Sequence, residues 1–347
     1  MVIVPSLTSN AALADTDLVI ITHANGASEK ISGANLKARI IEAAASGYAP
    51  GNALYKKLDS LACHNVPRMY NGKLGKDITA YFQDGTLWKR LAGTDGYQKY
   101  EDIYAGDFFD MRRAVTCPDS TNGTVGSQWV TIAEIDGFMN KGLGSATTHA
   151  TAHWINYPHL IMVPGAGEEG VQHFGLHAMN DTDTTEGGYV ASKMHTNVLG
   201  PVAVDGSVSA GATINQQLKY IFGSHLKTIN ELLTNSMNPN GVGRFGTASG
   251  VSSGFDWYDV QSCLLGEVEV YGSVVTGSSL HDVGSAWRQL AAFRHSKMMM
   301  NNATAWFWLK DVASFNAFAF ADGYGGAYCN GASNAGRFVR PRFVIGA

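Results

Sequence analysis

The chain has 347 residues, of which 16% are charged and 10% aromatic, with 40 glycines and a net charge of −4. A charged fraction well below the roughly 25% of ordinary soluble domains, combined with many aromatics, excludes a disordered chain. No Lys/Arg cluster stands out, so nucleic-acid binding has no electrostatic support, and the length predicts two or three units, one of them large.

The opening Met1-Val2-Ile3-Val4-Pro5 has no basic segment leading into a long apolar stretch, so no secretory signal is expected. Nothing approaches the roughly 20 apolar residues of a membrane span. The four cysteines, Cys63, Cys117, Cys263 and Cys329, lie far apart without a CxxC pair. They predict free thiols in a protein made in the cytoplasm.

Residues 1–48 read as a separate small module. Leu18-Val19-Ile20-Ile21-Thr22 is an apolar β-rich run, Asn25-Gly26 is hairpin-turn chemistry, and Ser28-Glu29-Lys30-Ile31 returns as a second strand. Ser32 or Asn35 then caps a helix to about Ala45, with Leu36, Ile40, Ile41 and Ala44 on one face. That apolar stripe has little to cover it within the module, so self-association or docking on a larger partner is expected. Leu13-Ala14-Asp15-Thr16-Asp17 with Lys30-Ile31-Ser32-Gly33-Ala34-Asn35-Leu36 resembles a pattern of phage fibre and spike N-terminal modules.

Residues 49–66 form a turn-rich connector. From residue 67 short β runs punctuated by glycine take over. A hairpin is predicted from Ile78-Thr79-Ala80-Tyr81-Phe82 and Thr86-Leu87-Trp88-Lys89-Arg90-Leu91 about the Asp84-Gly85 turn. Strands are predicted at Ile103 to Phe109, Gln128 to Ala133 and Leu160 to Pro164. One long helix is expected from about Gly211 to Asn235, its stripe formed by Ile214, Leu218, Ile221, Phe222, Leu226, Ile229 and Leu232-Leu233.

At the C-terminus, Trp306-Phe307-Trp308-Leu309-Lys310-Asp311-Val312 and Gly336-Arg337-Phe338-Val339-Arg340-Pro341-Arg342-Phe343-Val344-Ile345-Gly346 read as two strands framing a nearly uncharged loop. Alternation assigns Trp306, Trp308, Leu309, Val339, Phe343 and Ile345 to the core, and Arg340 to a buried charge-assisted hydrogen bond. Between the strands, Asn316, Phe318, Phe320, Asp322, Tyr324, Tyr328, Asn330, Ser333 and Asn334 are the candidate receptor contacts. Tyr and Asn give contact area and hydrogen bonds at low entropic cost. Alternation also implies that about half of these face inward and are structural.

Read end to end, residues 67–347 resemble phage and prophage structural proteins with a C-type-lectin-like fold. The stations are Ile103-Tyr104-Ala105-Gly106-Asp107-Phe108, Trp129-Val130-Thr131-Ile132-Ala133, His159-Leu160-Ile161-Met162-Val163-Pro164, Met179-Asn180-Asp181-Thr182 and Gly187-Gly188-Tyr189-Val190-Ala191-Ser192-Lys193-Met194. They continue with Leu264-Leu265-Gly266-Glu267-Val268-Glu269-Val270-Tyr271-Gly272, Trp306 to Val312, and Val339-Arg340-Pro341. The resemblance implies an α+β chain, a C-type-lectin-like domain behind a small hairpin/helix module. That fold class includes receptor-binding proteins diversified by retroelements and the formylglycine-generating enzymes.

A non-enzymatic virion protein of fibre or spike type is the expectation, a homotrimer displaying a surface for a host-cell receptor, glycan or protein. The N-terminal module would dock it to other virion proteins. One alternative is a purely architectural capsid decoration or head fibre protein. The other is a formylglycine-generating-type oxidase, which the resemblance ties to a reactive cysteine pair near the C-terminal core. Cys329 has no cysteine near it in sequence, so Cys263 would have to meet it in space.

No cofactor or metal is expected. His149 and His153, and His173 and His177, are spaced i,i+4, with His159 between them. The first pair lacks the glutamate of a zinc protease motif, and neither segment is a convincing helix. Asp181, Asp183 and Glu186 carry calcium-type oxygens without EF-hand spacing, which makes a polar surface loop the preferred reading.

Overall fold

The computed structural model describes residues 64–67, 69–70, 73–138, 157–243, 249–278, 288–296 and 306–347, together with the strand backbones of 18–22 and 28–32. The chain divides into two units, 1–62 and 63–347. In the first, β1 (Leu18–Thr22) pairs antiparallel with β2 (Ser28–Ser32), Leu18 opposite Ser32 and Thr22 opposite Ser28. The Asn25-Gly26 turn, the helix expected to run to Ala45, and the histidines at 149 and 153 lie outside the described residues.

The second unit is a mixed fold with mostly sheet and a few short helices. It begins with the two-residue strands β3 (Met69–Tyr70) and β4 (Lys73–Leu74). The hairpin expected about Asp84-Gly85 does not form. Its two arms are helices, α1 (Thr79–Gln83) and α2 (Thr86–Ala92). Leu87 and Leu91, four residues apart, are both fully buried, and that is helical spacing. Asp84 accepts hydrogen bonds from the Thr86 amide (2.8 Å) and hydroxyl (2.7 Å), which starts α2. The turn chemistry was real, but it joins two helices.

The main sheet holds β5 (Phe108–Asp110), β6 (Trp129–Ile135) and β7 (His159–Pro164). A π-helical turn at Met194–Leu199 and the helix α3 (Ile214–Phe222) follow. Thr213 and Gln216 cap α3 reciprocally, and Gly223, at φ 54°, ends it. The long helix expected to Asn235 therefore stops about halfway along its predicted span. Leu226 lies in β8 (Leu226–Lys227), and Ile229 opens β9 (Ile229–Asn238). In β9, Ile229, Glu231 and Leu233 are buried with strand alternation. Apolar residues at 229, 232 and 233 fit either period, and the glycine decides.

β9 pairs antiparallel with β10 (Val251–Val260). Beyond it come β11 (Ser262–Leu264), α4 (Glu267–Tyr271) and α5 (Ala291–His295). The chain closes with β12 (Phe307–Ser314), β13 (Ala317–Ala321), β14 (Ala327–Gly331) and β15 (Pro341–Gly346). The main sheet runs β11-β15-β7-β6-β5, with β8 also paired to β15, while β12-β13-β14 form a sheet of their own. Every residue of β7 and β15 is buried, so both faces of the sheet are covered at its centre. Among the described residues, no helix is long and apolar enough to cross a membrane.

Carboxylates and cations occupy the interior where three sheets, β9–β10, β12–β14 and the main sheet, meet α4. Glu231 on β9 accepts from Lys310 Nζ of β12 (2.6 Å) and from Arg342 Nη2 of β15 (2.6 Å), all of them buried. The Arg342 Nε also bonds Glu269 of α4. Burial alone would raise the Glu231 pKa, but the two cations hold it well below the usual carboxylate range. Glu267 accepts backbone N–H bonds from Val275 (2.7 Å) and Gly277 (2.9 Å), and its own amide donates to Asp311 (2.7 Å). Arg340 is also fully buried, its guanidinium over the rings of Phe293 (5.3 Å) and Phe307 (5.0 Å).

Candidate functional site

The segment between the two C-terminal strands is no open loop. It carries β13 and β14, which continue β12 as an antiparallel meander. The frame also differs from the expected one, because β12 and β15 lie in different sheets. They are joined at Phe338, whose carbonyl accepts from the Trp308 amide (3.0 Å).

Register explains which candidates reach solvent. Trp308 stands opposite Phe320, and Phe320 opposite Tyr328, so the three side chains share one face. Trp308 and Phe320 meet edge-on at 6.2 Å, and Phe320 meets Tyr328 at 5.8 Å. Burial falls away along this row: Trp308 is 0% exposed, Phe320 3% and Tyr328 64%. The row thus carries the core out to the surface on one rigid strip of aromatic rings.

Two residues complete it. Trp306, expected in the core, is 40% exposed and stacks on Phe320 at 6.0 Å with rings 16° apart. It precedes β12, so strand alternation does not bind it. Arg337 lays its guanidinium over both Trp306 (4.6 Å) and Phe320 (4.5 Å). Its Nη1 donates to the Gly336 carbonyl (3.2 Å), and among the described residues no carboxylate pairs with it. Desolvation lowers the Arg337 pKa.

These side chains line an open cleft of about 280 Å³ with Asp322, Tyr324, Cys329 and Asn330. Its rim is the β13–β14 turn. Asp322 Oδ1 accepts from the amides of Tyr324 (2.8 Å) and Gly326 (2.8 Å), and Gly325 takes φ 79°. Tyr271 of α4 donates its hydroxyl to the Gly326 carbonyl (2.9 Å). Tyr324 at the tip is 81% exposed, a large ring held out by a pinned backbone.

Of the nine candidate contacts, the cleft gathers Phe320, Asp322, Tyr324, Tyr328 and Asn330. Phe318 is fully buried and is a core residue, because it shares the inward part of the face with Val312. Phe320 is likewise a buried wall, touching the cleft from beneath. Asn316 braces the β12–β13 turn by accepting from the Ser314 hydroxyl (2.8 Å). Ser333 bonds Asp183, and Asn334 accepts from the Gly336 amide (2.8 Å). Trp306, Cys329 and Arg337 were missed as contacts. The one sequence signal for Arg337 was its place as the first cation after a segment almost free of charge.

A larger cleft of about 490 Å³ is lined by Lys73, Lys76, Asp77, Phe108, Glu168 and Glu169, among others. Its charges are already satisfied internally, Lys73 by Glu169, Lys76 by Asp102 (2.9 Å) and Glu168 by Ser296 (2.5 Å). The smaller cleft, with bare aromatic faces, is the better recognition site.

The other groups singled out from the sequence have structural partners. His173 and His177 do not lie on a helix. His173 stacks on Phe338 at 3.8 Å, and the His177 Nδ1 lies 2.7 Å from the Ala178 carbonyl. Asp181 pairs with Lys193 (2.6 Å). Among the described residues, no three His, Cys, Asp or Glu side chains converge as a metal site. Cys117, Cys263 and Cys329 are free thiols. Burial pushes the pKa of all three up, that of Cys263 to about 12, away from the thiolate a nucleophile needs. No protein-family model matches the chain, nor does any curated protein or solved structure.

Proposed function

We propose that the chain is a phage virion protein whose C-terminal unit, of C-type-lectin-like fold, binds a host-cell receptor through the cleft of Trp306, Tyr324, Tyr328 and Arg337. The observation that carries this reading is the pair of tyrosines, 81% and 64% exposed, on a backbone fixed by the Asp322 turn and the aromatic row beneath. Rigid tyrosines over a buried support cost little entropy on binding, which is how recognition surfaces gain affinity. The ordered stations from Ile103 to Pro341 support the family reading, and the 1–48 module would attach the protein to the particle. Assembly as a trimer would multiply weak contacts by effective concentration.

The test is binding of the purified full chain to intact host cells, beside a variant with Tyr324, Tyr328 and Asn330 changed to Ala. Binding by the parent that the variant loses, at unchanged melting temperature, supports an adhesin with its site in this cleft. A folded, assembled parent that fails to bind leaves an architectural protein of the particle as the reading.

A further inference from the structure

The receptor-binding reading says nothing of what the cleft takes, and the inference here rests on that reading. Its chemistry is specific. The exposed faces of Trp306, Tyr324 and Tyr328 offer apolar platforms. Among the described residues lining the cleft, Arg337 is the only cation. Its Nε is buried without a partner among the described residues, and no described carboxylate meets its guanidinium. Packed beside the stacked Trp306 and Phe320 rings, at 4.6 and 4.5 Å from their centroids, the guanidinium is restrained, and its planar fork suits a carboxylate.

Acceptors and donors for hydroxyls are present as well. Asp322 spends Oδ1 on the turn amides, while no described group bonds its Oδ2. Asn330 uses Oδ1 on the Gly331 amide (2.8 Å), and no described group takes its Nδ2 donors. A volume near 280 Å³ falls below the roughly 300–1,000 Å³ of pockets that enclose a drug-sized ligand. The cleft is suited to one ring at the end of a chain.

We propose that the cleft binds a saccharide unit bearing a carboxylate. The acid group meets the outward edge of Arg337, a C–H face of the ring lies on the exposed aromatics, and hydroxyls reach Asp322 and Asn330. A neutral sugar would leave the half-buried cation unanswered. A purely apolar ligand would strand Asp322 and Asn330 as well.

The experiment titrates the full chain with oligomers of galacturonic acid and of sialic acid, and with the carboxyl-reduced form of each, by calorimetry. At least one acidic series is expected to bind, and its reduced counterpart at least about tenfold more weakly, the usual weight of a charge-assisted hydrogen bond. Arg337→Gln is expected to lose the same factor with unchanged melting temperature. Arg337→Lys keeps the charge without the planar fork and is expected to fall between. Equal affinity for acidic and reduced forms overturns the proposal, as does failure of both acidic series to bind. In the latter case, cell binding that still depends on Tyr324 and Tyr328 keeps the receptor-binding reading and points to a protein receptor. Loss of cell binding by the parent itself overturns both.

Discussion

Asp183 accepts two hydrogen bonds from Ser333, from its amide (2.8 Å) and its hydroxyl (2.7 Å), across 150 residues of sequence. The loop that carries Asp183 is tied to the same region again by Thr185, whose hydroxyl donates to the Ser314 carbonyl (2.8 Å). An acidic loop that reads as a calcium candidate is thus a brace for the sheet that presents the cleft.

Removing that brace is expected to loosen the turn after β14 without unfolding the protein. In Asp183→Asn, hydrogen exchange at the Ser333 amide should accelerate while the global melting curve stays in place. The amide and hydroxyl bonds from Ser333 lower the Asp183 pKa. The sign follows: the brace is complete above the ordinary carboxylate range and is lost as pH falls through the lowered value. Exchange at Ser333 that is indifferent to the substitution would show that the turn holds itself.

Buried charge makes the opposite prediction. Glu231→Gln leaves Lys310 and Arg342 facing each other in the interior, so stability should drop by roughly 3–5 kcal/mol in urea denaturation. The depressed Glu231 pKa contributes stability that is fully present above the ordinary value near 4.5 and lost as pH falls toward the folded value. A cost under about 1 kcal/mol would mean that water reaches the site.

His173 supplies a second pH dependence at milder acidity. Burial, and then the nearby Arg340, lower its pKa from 6.5 to about 4. The Gly175 amide donates to its Nδ1 (3.1 Å), which requires the neutral ring. The folded state binds fewer protons than the unfolded chain between these values. Stability is therefore full above pH 6.5 and declines by up to about 1.4 kcal/mol per pH unit toward pH 4. His173→Gln should flatten the melting temperature measured across that window.

Within the aromatic row, burial predicts a sharp contrast. Phe320→Ala opens a cavity under the cleft and is expected to cost about 3–5 kcal/mol. Tyr324→Ala, at an exposed turn tip, should stay within about 0.5 kcal/mol. Equal losses in thermal denaturation would mean that Tyr324 packs against more than its own turn.

Gly188 tests the backbone. It sits at φ 69°, and an added Cβ would come within 2.4 Å of the Thr234 carbonyl oxygen on β9. Its neighbour Tyr189 is buried, with its hydroxyl accepting from the Leu264 amide (3.1 Å). Gly188→Ala therefore combines left-handed strain with a clash, and a loss of roughly 2–5 kcal/mol in denaturant titration is expected.

Local chemistry was legible in the chain itself. The β1–β2 hairpin and the strands at 129–135, 159–164, 307–314 and 341–346 follow from β-rich apolar runs. So did the crowding of Tyr, Asn and Asp between the last two long strands. These are properties of neighbouring residues, and neighbouring residues carry them. Where two periods fit the same letters, as at 78–91 and 226–235, a glycine or the Asp84 turn decided, and pattern alone chose wrongly.

Tertiary structure alone decided which candidates face solvent. Phe318 and Phe320 are inward because β13 is the middle strand of its sheet, and no count along the chain reveals a strand's neighbours. Trp306 and Arg337 meet each other and Phe320 in one aromatic cluster, though a long stretch of chain parts them and neither is unusual in sequence. Composition and periodicity describe what a segment prefers. Only packing brings a cation onto an aromatic face, because that contact depends on where two sheets meet.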